Sequence, residues 1–455
     1  MTDNRVIFTK EMKETHTLLI PTMLPNHFRI IEKILKIYGY KTELLVPDRA
    51  RVVESGLRYV HNDSCYPATL VIGQFIDALR RGKHDPHKVA LVMSQTGGGC
   101  RASNYISLLR KALAKAGYGY VPVISFSVAG GMEKNPGFNL SVPLLRRMAY
   151  AVLYGDLMMW LSNQCKPYEI NKGDAERLFD TWVDRIIGEM NGKSISYKKI
   201  KENYRAIIRD FAAIPMDRSE PRVRVGIVGE IYVKFSPLGN NDLESFLAAE
   251  NAEVVMPGLT DFCLYCVYNN LLDYKLYGRN KRSVWIWKIA YDFIIKKQND
   301  VIEAINEISA ETGVKFNPPT SFEHTKTLCE GVISNGVKMG EGWLLTSEML
   351  ELIESGVNNI ICTQPFGCLP NHIAGKGMMK PIKERHPQAN IIAVDYDPSA
   401  TQINQENRIK LMLANAQEQL RRGAGEDRAF CPANDSLSPD GEEEAAKEPS
   451  LVSYP

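Results

Sequence analysis

Two periods of apolar residues alternate along most of this chain. Thr17 to Pro21 is a short apolar run, His27 to Tyr38 (HFRIIEKILKIY) repeats its apolar positions at helical spacing, and Thr42 to Val46 is a second short run. Short apolar runs predict buried strands and the 3.6-residue period predicts a helix, so this stretch reads as a βαβ unit. The same pattern predicts a helix over Tyr66 to Arg81, a strand over Lys88 to Met93, a helix over Ala102 to Ala116 and a strand over Val121 to Phe126. Strands separated by helices imply a parallel, doubly wound sheet.

The polar segment DRSEPR at 217–222 interrupts this alternation, which then resumes. Strands are expected at Val223 to Val228, Glu253 to Met256, Val357 to Cys362 and Asn390 to Val394, with a long helix from about Ser283 to Ile308. The expected class is therefore α/β, with two doubly wound lobes: an N-terminal lobe over 1–218 and a C-terminal lobe over 219–422. From Gly423 the chain is rich in Pro, Ser, Gly and acidic residues, and a disordered acidic tail is expected over 423–455. No short-period repeat is visible, although two lobes of similar architecture would suit an old duplication that has lost its sequence trace.

Composition narrows the function classes. The 455 residues are too many for one typical core. With 44% hydrophobic and 24% charged residues the chain is of ordinary globular type. Lys and Arg (55) nearly balance Asp and Glu (53), and the net charge of +2 provides no broad field for nucleic acid or an anionic membrane. The N-terminus MTDNRVIFTKEMKETH has no apolar targeting core, and no segment approaches the roughly 18 apolar residues of a span. A cytoplasmic protein with reduced thiols is expected, and the nine cysteines are then candidates for metal ligation rather than a disulfide framework.

Three cysteines sit where open α/β sheets collect ligands, beyond the carboxyl ends of strands or in loops that start helices. Cys100 ends SQTGGGC, between a predicted strand and a predicted helix; Cys65 lies in NDSCYP, ahead of a helix that Pro67 helps to start; Cys368 lies in CTQPFGCLP. Helix N-termini and loop N–H groups favour negative charge and can hydrogen-bond the sulfurs of an anionic cluster. Glycines 97–99 and Gly367 let the backbone approach closely. Zinc more usually takes two close CxxC pairs, whereas single scattered ligands suit a cluster held between lobes. Any one buried cysteine is more often a small hydrophobe, and the matching loop positions of three of them weigh against that reading.

Other residues are more ambiguous. Cys362, at the end of a predicted apolar strand, is equally a fourth ligand or core. Cys263 and Cys266 form a CxxC in an apolar helical context that favours packing. Cys165 and Cys329 fall in predicted helices and read as structural, and Cys431 lies in the tail, where nothing would orient it. GGG before Cys100 lacks the Lys of a phosphate loop, and VGIVGE at 225–230 is not a dinucleotide motif. GEGW at 340–343 places Glu341 or Trp343 at the mouth of a cleft, or simply packs its Trp on the core. His61 and His372, each four residues from a candidate cysteine, are placed to bond a sulfur or move a proton, or else lie at the surface or cap a helix.

With HNDSCYPATLVIGQFIDAL, SQTGGGCRASNY, EKNPGFNL, GEGWLLTSEM and TQPFGCLPNHIAGKGM on the page, the chain resembles the iron–sulfur subunits of the 2-hydroxyacyl-CoA dehydratase family. The likeness extends over most of residues 15–415 and is strongest to the branch associated with, often fused to, the ATP-dependent activator. It implies three cysteines holding a [4Fe–4S] cluster with one iron open, matched here by Cys65, Cys100 and Cys368, with Cys362 extra to the pattern. Relatives in the wider superfamily carry a double-cubane cluster, which would need further cysteines such as Cys362 or Cys266. It also implies a separate ATPase activator with its own iron–sulfur cluster as electron donor, a homologous subunit or second copy as partner, and either radical dehydration of an acyl-CoA or reduction of a small substrate. A non-catalytic electron relay with a fully ligated cluster is the alternative. No nucleic acid or membrane partner is expected.

Overall fold

The computed structural model describes residues 5–429 except 62, 96–98, 127–132, 193 and 280. Two four-stranded parallel sheets organise it. The first contains β1 (Thr17–Ile20), β2 (Lys41–Leu44), β3 (Val89–Ser94) and β4 (Val123–Phe126) in the order β2-β1-β3-β4. The second contains β5 (Arg224–Gly229), β6 (Glu253–Val255), β7 (Asn359–Pro365) and β8 (Asn390–Tyr396) in the order β6-β5-β7-β8. Both are parallel throughout. Because crossovers cover both faces of such a sheet, its central strands read as apolar runs rather than alternating ones, whereas the edge strand β2 is the polar KTEL. The α/β class and the eight strands agree with the pattern, with ends displaced by a few residues.

The differences have physical causes. Helices Val142–Cys165, Asp174–Met190 and Tyr197–Ala212 stand between the two sheets in sequence; the pattern puts Cys165 in a helix but gives bounds for none of the three. In the first of them every residue from Leu153 to Cys165 is buried, so it has no solvated face to mark a 3.6-residue period. The predicted helix Ala102 to Ala116 opens with a 3₁₀ turn, Arg101–Asn104, before the α-helix Tyr105–Lys115. The strand expected to end at Cys362 continues to Pro365, which puts Cys362 inside a strand flanked by Val228 and Ala393. Helix Gln402–Ala429 runs past Gly423, and residues 430–455, with Cys431, lie outside the described residues. Among the described residues no helix is long and apolar enough to cross a membrane.

Two packing devices bear on the site. Helix Arg49–Tyr59 presses on helix Tyr66–Arg80 so closely that a Cβ on Gly73 would stand 2.3 Å from the Val52 carbonyl oxygen, and one on Gly56 2.4 Å from that of Thr69. This close approach fixes the helix whose N-cap is Cys65. Asp156, 0% exposed, bonds His27 Nε2 at 2.8 Å and accepts from the N–H groups of Leu259 and Thr260, both at 2.8 Å. One carboxylate thus joins a helix of the first sheet, the intervening helical layer and the first turn of helix Leu259–Tyr277.

Candidate metal centre

A parallel sheet whose central strands send their connections to opposite sides leaves a crevice at their carboxyl ends. Here the central pairs are β1 with β3 and β5 with β7. The segments after all four line one cavity of about 480 Å³: Pro21 and Met23, Gly99 and Cys100, Glu230 and Ile231, Gly367 and Cys368. Cys65, Tyr105, Phe262 and Glu341 complete the part of its wall relevant to chemistry. The two crevices therefore face each other, and three of the four cysteines singled out from the sequence meet there.

Each of those three is the N-cap of a helical segment: Cys65 of Tyr66–Arg80, Cys100 of Arg101–Asn104 and Cys368 of Leu369–Ala374. Glycines bring their loops together. Gly367, at φ +70°, lies so close to the Cys65 loop that a Cβ would stand 3.2 Å from Cys65 Cα, and the Tyr66 N–H bonds the Phe366 carbonyl at 2.9 Å. A Cβ on Gly99 would meet Met339 Sδ at 2.8 Å, and one on Gly340 would meet Pro370 at 3.1 Å. Gly97 and Gly98 lie outside the described residues.

The surroundings of the three thiols favour their neutral form. Burial pushes the Cys65 thiol up to about 11 and raises those of Cys100 and Cys368, and the carboxyl groups of Glu341 and Glu230 push the last two further in the same direction. Nucleophilic cysteines need the reverse, a cationic neighbour that lowers the pKa. The Tyr105 hydroxyl, itself raised by burial, lies 3.5 Å from Cys65 Sγ and can donate to it. A metal's positive charge beside such thiols would favour their thiolate form. Among the described residues no group of three or more His, Cys, Asp or Glu side chains is gathered closely enough for one metal ion. Separated thiols facing one cavity fit a cluster, in which each thiolate binds its own iron, better than a single ion.

Cys362 does not join them. Its thiol is buried within β7, 3.5 Å from Asn371 Oδ1, and burial pushes it up to about 12. Cys263 and Cys266 lie on helix Leu259–Tyr277, where Phe262 is the residue that reaches the cavity. Cys165 ends a buried helix and Cys329 caps the C-terminus of helix Phe322–Leu328. His61 is exposed beside Asp63, and His372 Nδ1 stands 2.9 Å from the Cys368 carbonyl oxygen and 2.6 Å from Gln364 Nε2. Trp343 is core, so in GEGW it is Glu341 that faces the cavity.

Two buried carboxyl groups add to the site. Glu341 Oε1 accepts from the Ile231 N–H at 2.9 Å, and Glu230 Oε2 accepts from the Val233 N–H at 2.9 Å. Burial, and then the neighbouring Glu341, push Glu230 up to about 8; burial likewise raises Glu341. Behind them the buried Lys234 Nζ bonds both oxygens of Glu348, at 2.9 and 3.2 Å. Glu230 was not read from the sequence as a site residue, though an acid at the end of the apolar run VGIVGE is the signal that marks it. Comparison with known proteins finds no family model that matches this chain and no match among the curated proteins.

Proposed function

We propose that the chain is an iron–sulfur redox protein, with Cys65, Cys100 and Cys368 as thiolate ligands of a [4Fe–4S] cluster in the cavity between the two sheets. The observation that carries this reading is the convergence of three N-cap thiols from separate loops on the facing crevices of two parallel sheets. Bound there, the cluster supplies low-potential one-electron chemistry. The residues around it have their own tasks. Tyr105 donates toward Cys65, the apolar wall of Met23, Phe28, Val71 and Phe262 limits water, and Glu230, whose carboxyl group burial favours in its protonated form, lines the cavity where it could give a proton to a leaving hydroxide or a reduced substrate.

The resemblance to 2-hydroxyacyl-CoA dehydratase subunits then makes radical dehydration of an acyl-CoA, or reduction of a small substrate, the reaction class, with electrons supplied by a separate ATPase. Room for a substrate beside the thiols supports an enzyme over a pure electron relay, and the placement of Cys362 within β7 removes the thiol that a fully cysteine-ligated relay would have used. The test is anaerobic purification followed by iron and sulfide analysis and EPR of the reduced protein. About four irons and four sulfides per chain with a reduced-cluster signal are expected; protein never exposed to air that carries neither would overturn the reading.

A further inference from the structure

The two sheets share one strand order, so each element at the cavity has a counterpart in the other half. Cys100 and Cys368 are counterparts: each follows the third strand of its sheet and N-caps the helical segment after it. Cys65 N-caps the helix that leads into β3. The helix that leads into β7 is Trp343–Glu354, capped by Gly342, and the residue just before that cap is Glu341. The internal symmetry therefore presents four side chains to the cavity, three thiols and one carboxyl group.

The surroundings of Glu341 match a ligand's. It is 6% exposed, lines the cavity with the three thiols, and has no ion pair among the described residues. The hydrogen bond from the Ile231 N–H to Oε1, at 2.9 Å, orients the carboxyl group. Its loop is locked to both of the counterpart cysteine loops, through Met339 against Gly99 and Gly340 against Pro370. Lys234, the cation whose charge acts on it, is already bonded to Glu348, so a metal in the cavity would supply charge that a buried carboxylate needs.

We propose that Glu341 is the fourth, oxygen ligand of the cluster held by Cys65, Cys100 and Cys368. A carboxylate oxygen is a harder and more exchangeable donor to iron than a thiolate, so the corner it holds is the one a substrate oxygen can take over. This rests on the iron–sulfur reading above and assigns a ligand that reading leaves open.

The experiment compares wild type with Glu341→Ala, Glu341→Gln, Glu341→Cys and Glu230→Ala, all loaded anaerobically, by iron content, EPR after mild oxidation, and ⁵⁷Fe Mössbauer spectroscopy. The expected result is a distinct, oxygen-ligated iron in wild type. In E341A and E341Q that iron is lost on oxidation at least about tenfold faster, on the scale by which even outer groups change metal affinity, leaving a three-iron signal. E341C restores retention. Equal iron loss from wild type and both E341A and E341Q, or accelerated loss from E230A instead, overturns the assignment. E341Q keeps an acceptor for the Ile231 N–H, so its circular dichroism and iron content separate loss of a ligand from loss of fold. Wild type that takes up no cluster overturns the iron–sulfur reading itself, and this assignment with it.

Discussion

At the scale of single residues, the cavity is a place where negative charge is disfavoured. Burial raises the three thiols together with Glu230 and Glu341, and the buried Lys234, whose charge acts on both glutamates, is already engaged by Glu348. Changing Cys65, Cys100 or Cys368 singly to Ala is expected to abolish the cluster signal and most of the bound iron, whereas Cys362→Ala should keep both; iron analysis with EPR checks the contrast. A titration away from the ligands gives a second prediction. Glu351 lines a separate cavity of about 180 Å³, and burial, then the Glu348 carboxyl group, push it from 4.5 up to about 7. A carboxyl group whose folded pKa is raised holds its proton more tightly in the folded state. Its contribution is fully present below pH 4.5 and is lost as the pH rises toward 7, at up to about 1.4 kcal/mol per pH unit. Urea denaturation of wild type between pH 5 and 7 should show this fall, and Glu351→Gln should flatten it. Equal slopes in the two proteins would remove Glu351 as the cause. The thiol positions were legible because loop chemistry is local: a Gly-rich or Pro-flanked cysteine after an apolar run is visible one segment at a time. Glu230 and Lys234 were not, because an acid or a lysine in sequence looks solvated until the other half of the chain is folded over it.

At the scale of elements, the site depends on loops held at distances that side chains would forbid. Gly367 combines φ +70° with a Cβ direction that meets Cys65 Cα at 3.2 Å, so Gly367→Ala adds both a left-handed strain of roughly 1–2 kcal/mol and a push against the Cys65 loop. Reduced iron occupancy with an unchanged circular dichroism spectrum is expected; full occupancy would mean the loop can give. The Gly56 and Gly73 contact is of another kind, helix against helix, and Gly73→Ala should cost about 1–3 kcal/mol as overpacking in a denaturation series. Strands were the most legible elements, since a short apolar run bounded by loops has few alternatives. The helical layer from Val142 to Ala212 was legible only as a helix around Cys165, without bounds, and helix Val142–Cys165 shows why. A helix buried on all sides loses the alternation that reveals a surface helix, and its polar members Asp156, Asn163 and Gln164 are spent on internal hydrogen bonds rather than on a solvated face.

At the scale of the whole molecule, the two sheets are tied together before any cofactor is considered. Gln74 Nε2 donates to the Tyr232 hydroxyl at 2.7 Å, the Tyr66 N–H reaches the Phe366 carbonyl, and Asp156 gathers His27, Leu259 and Thr260. The facing crevices are thus held by hydrogen bonds that cross between the halves, so the cavity's shape does not depend on an occupant. Asp156 is the sharpest test, because its partners come from both halves and none is exposed to water that could replace it. Asp156→Ala would leave the Leu259 and Thr260 N–H groups without their acceptor. Each buried donor so orphaned costs about 1–3 kcal/mol, a large part of the stability of an ordinary domain. The expected outcome is a substantially lower urea midpoint in cluster-free protein, together with weaker retention of iron in loaded protein even though Asp156 is not among the residues lining the cavity. Asp156→Asn, which keeps an acceptor oxygen, should recover part of both. If the alanine variant lost stability but held iron as firmly as wild type, the cavity would owe its shape to the loops alone, and the glycine contacts of Gly99, Gly340 and Gly367 would carry the whole of its preorganisation.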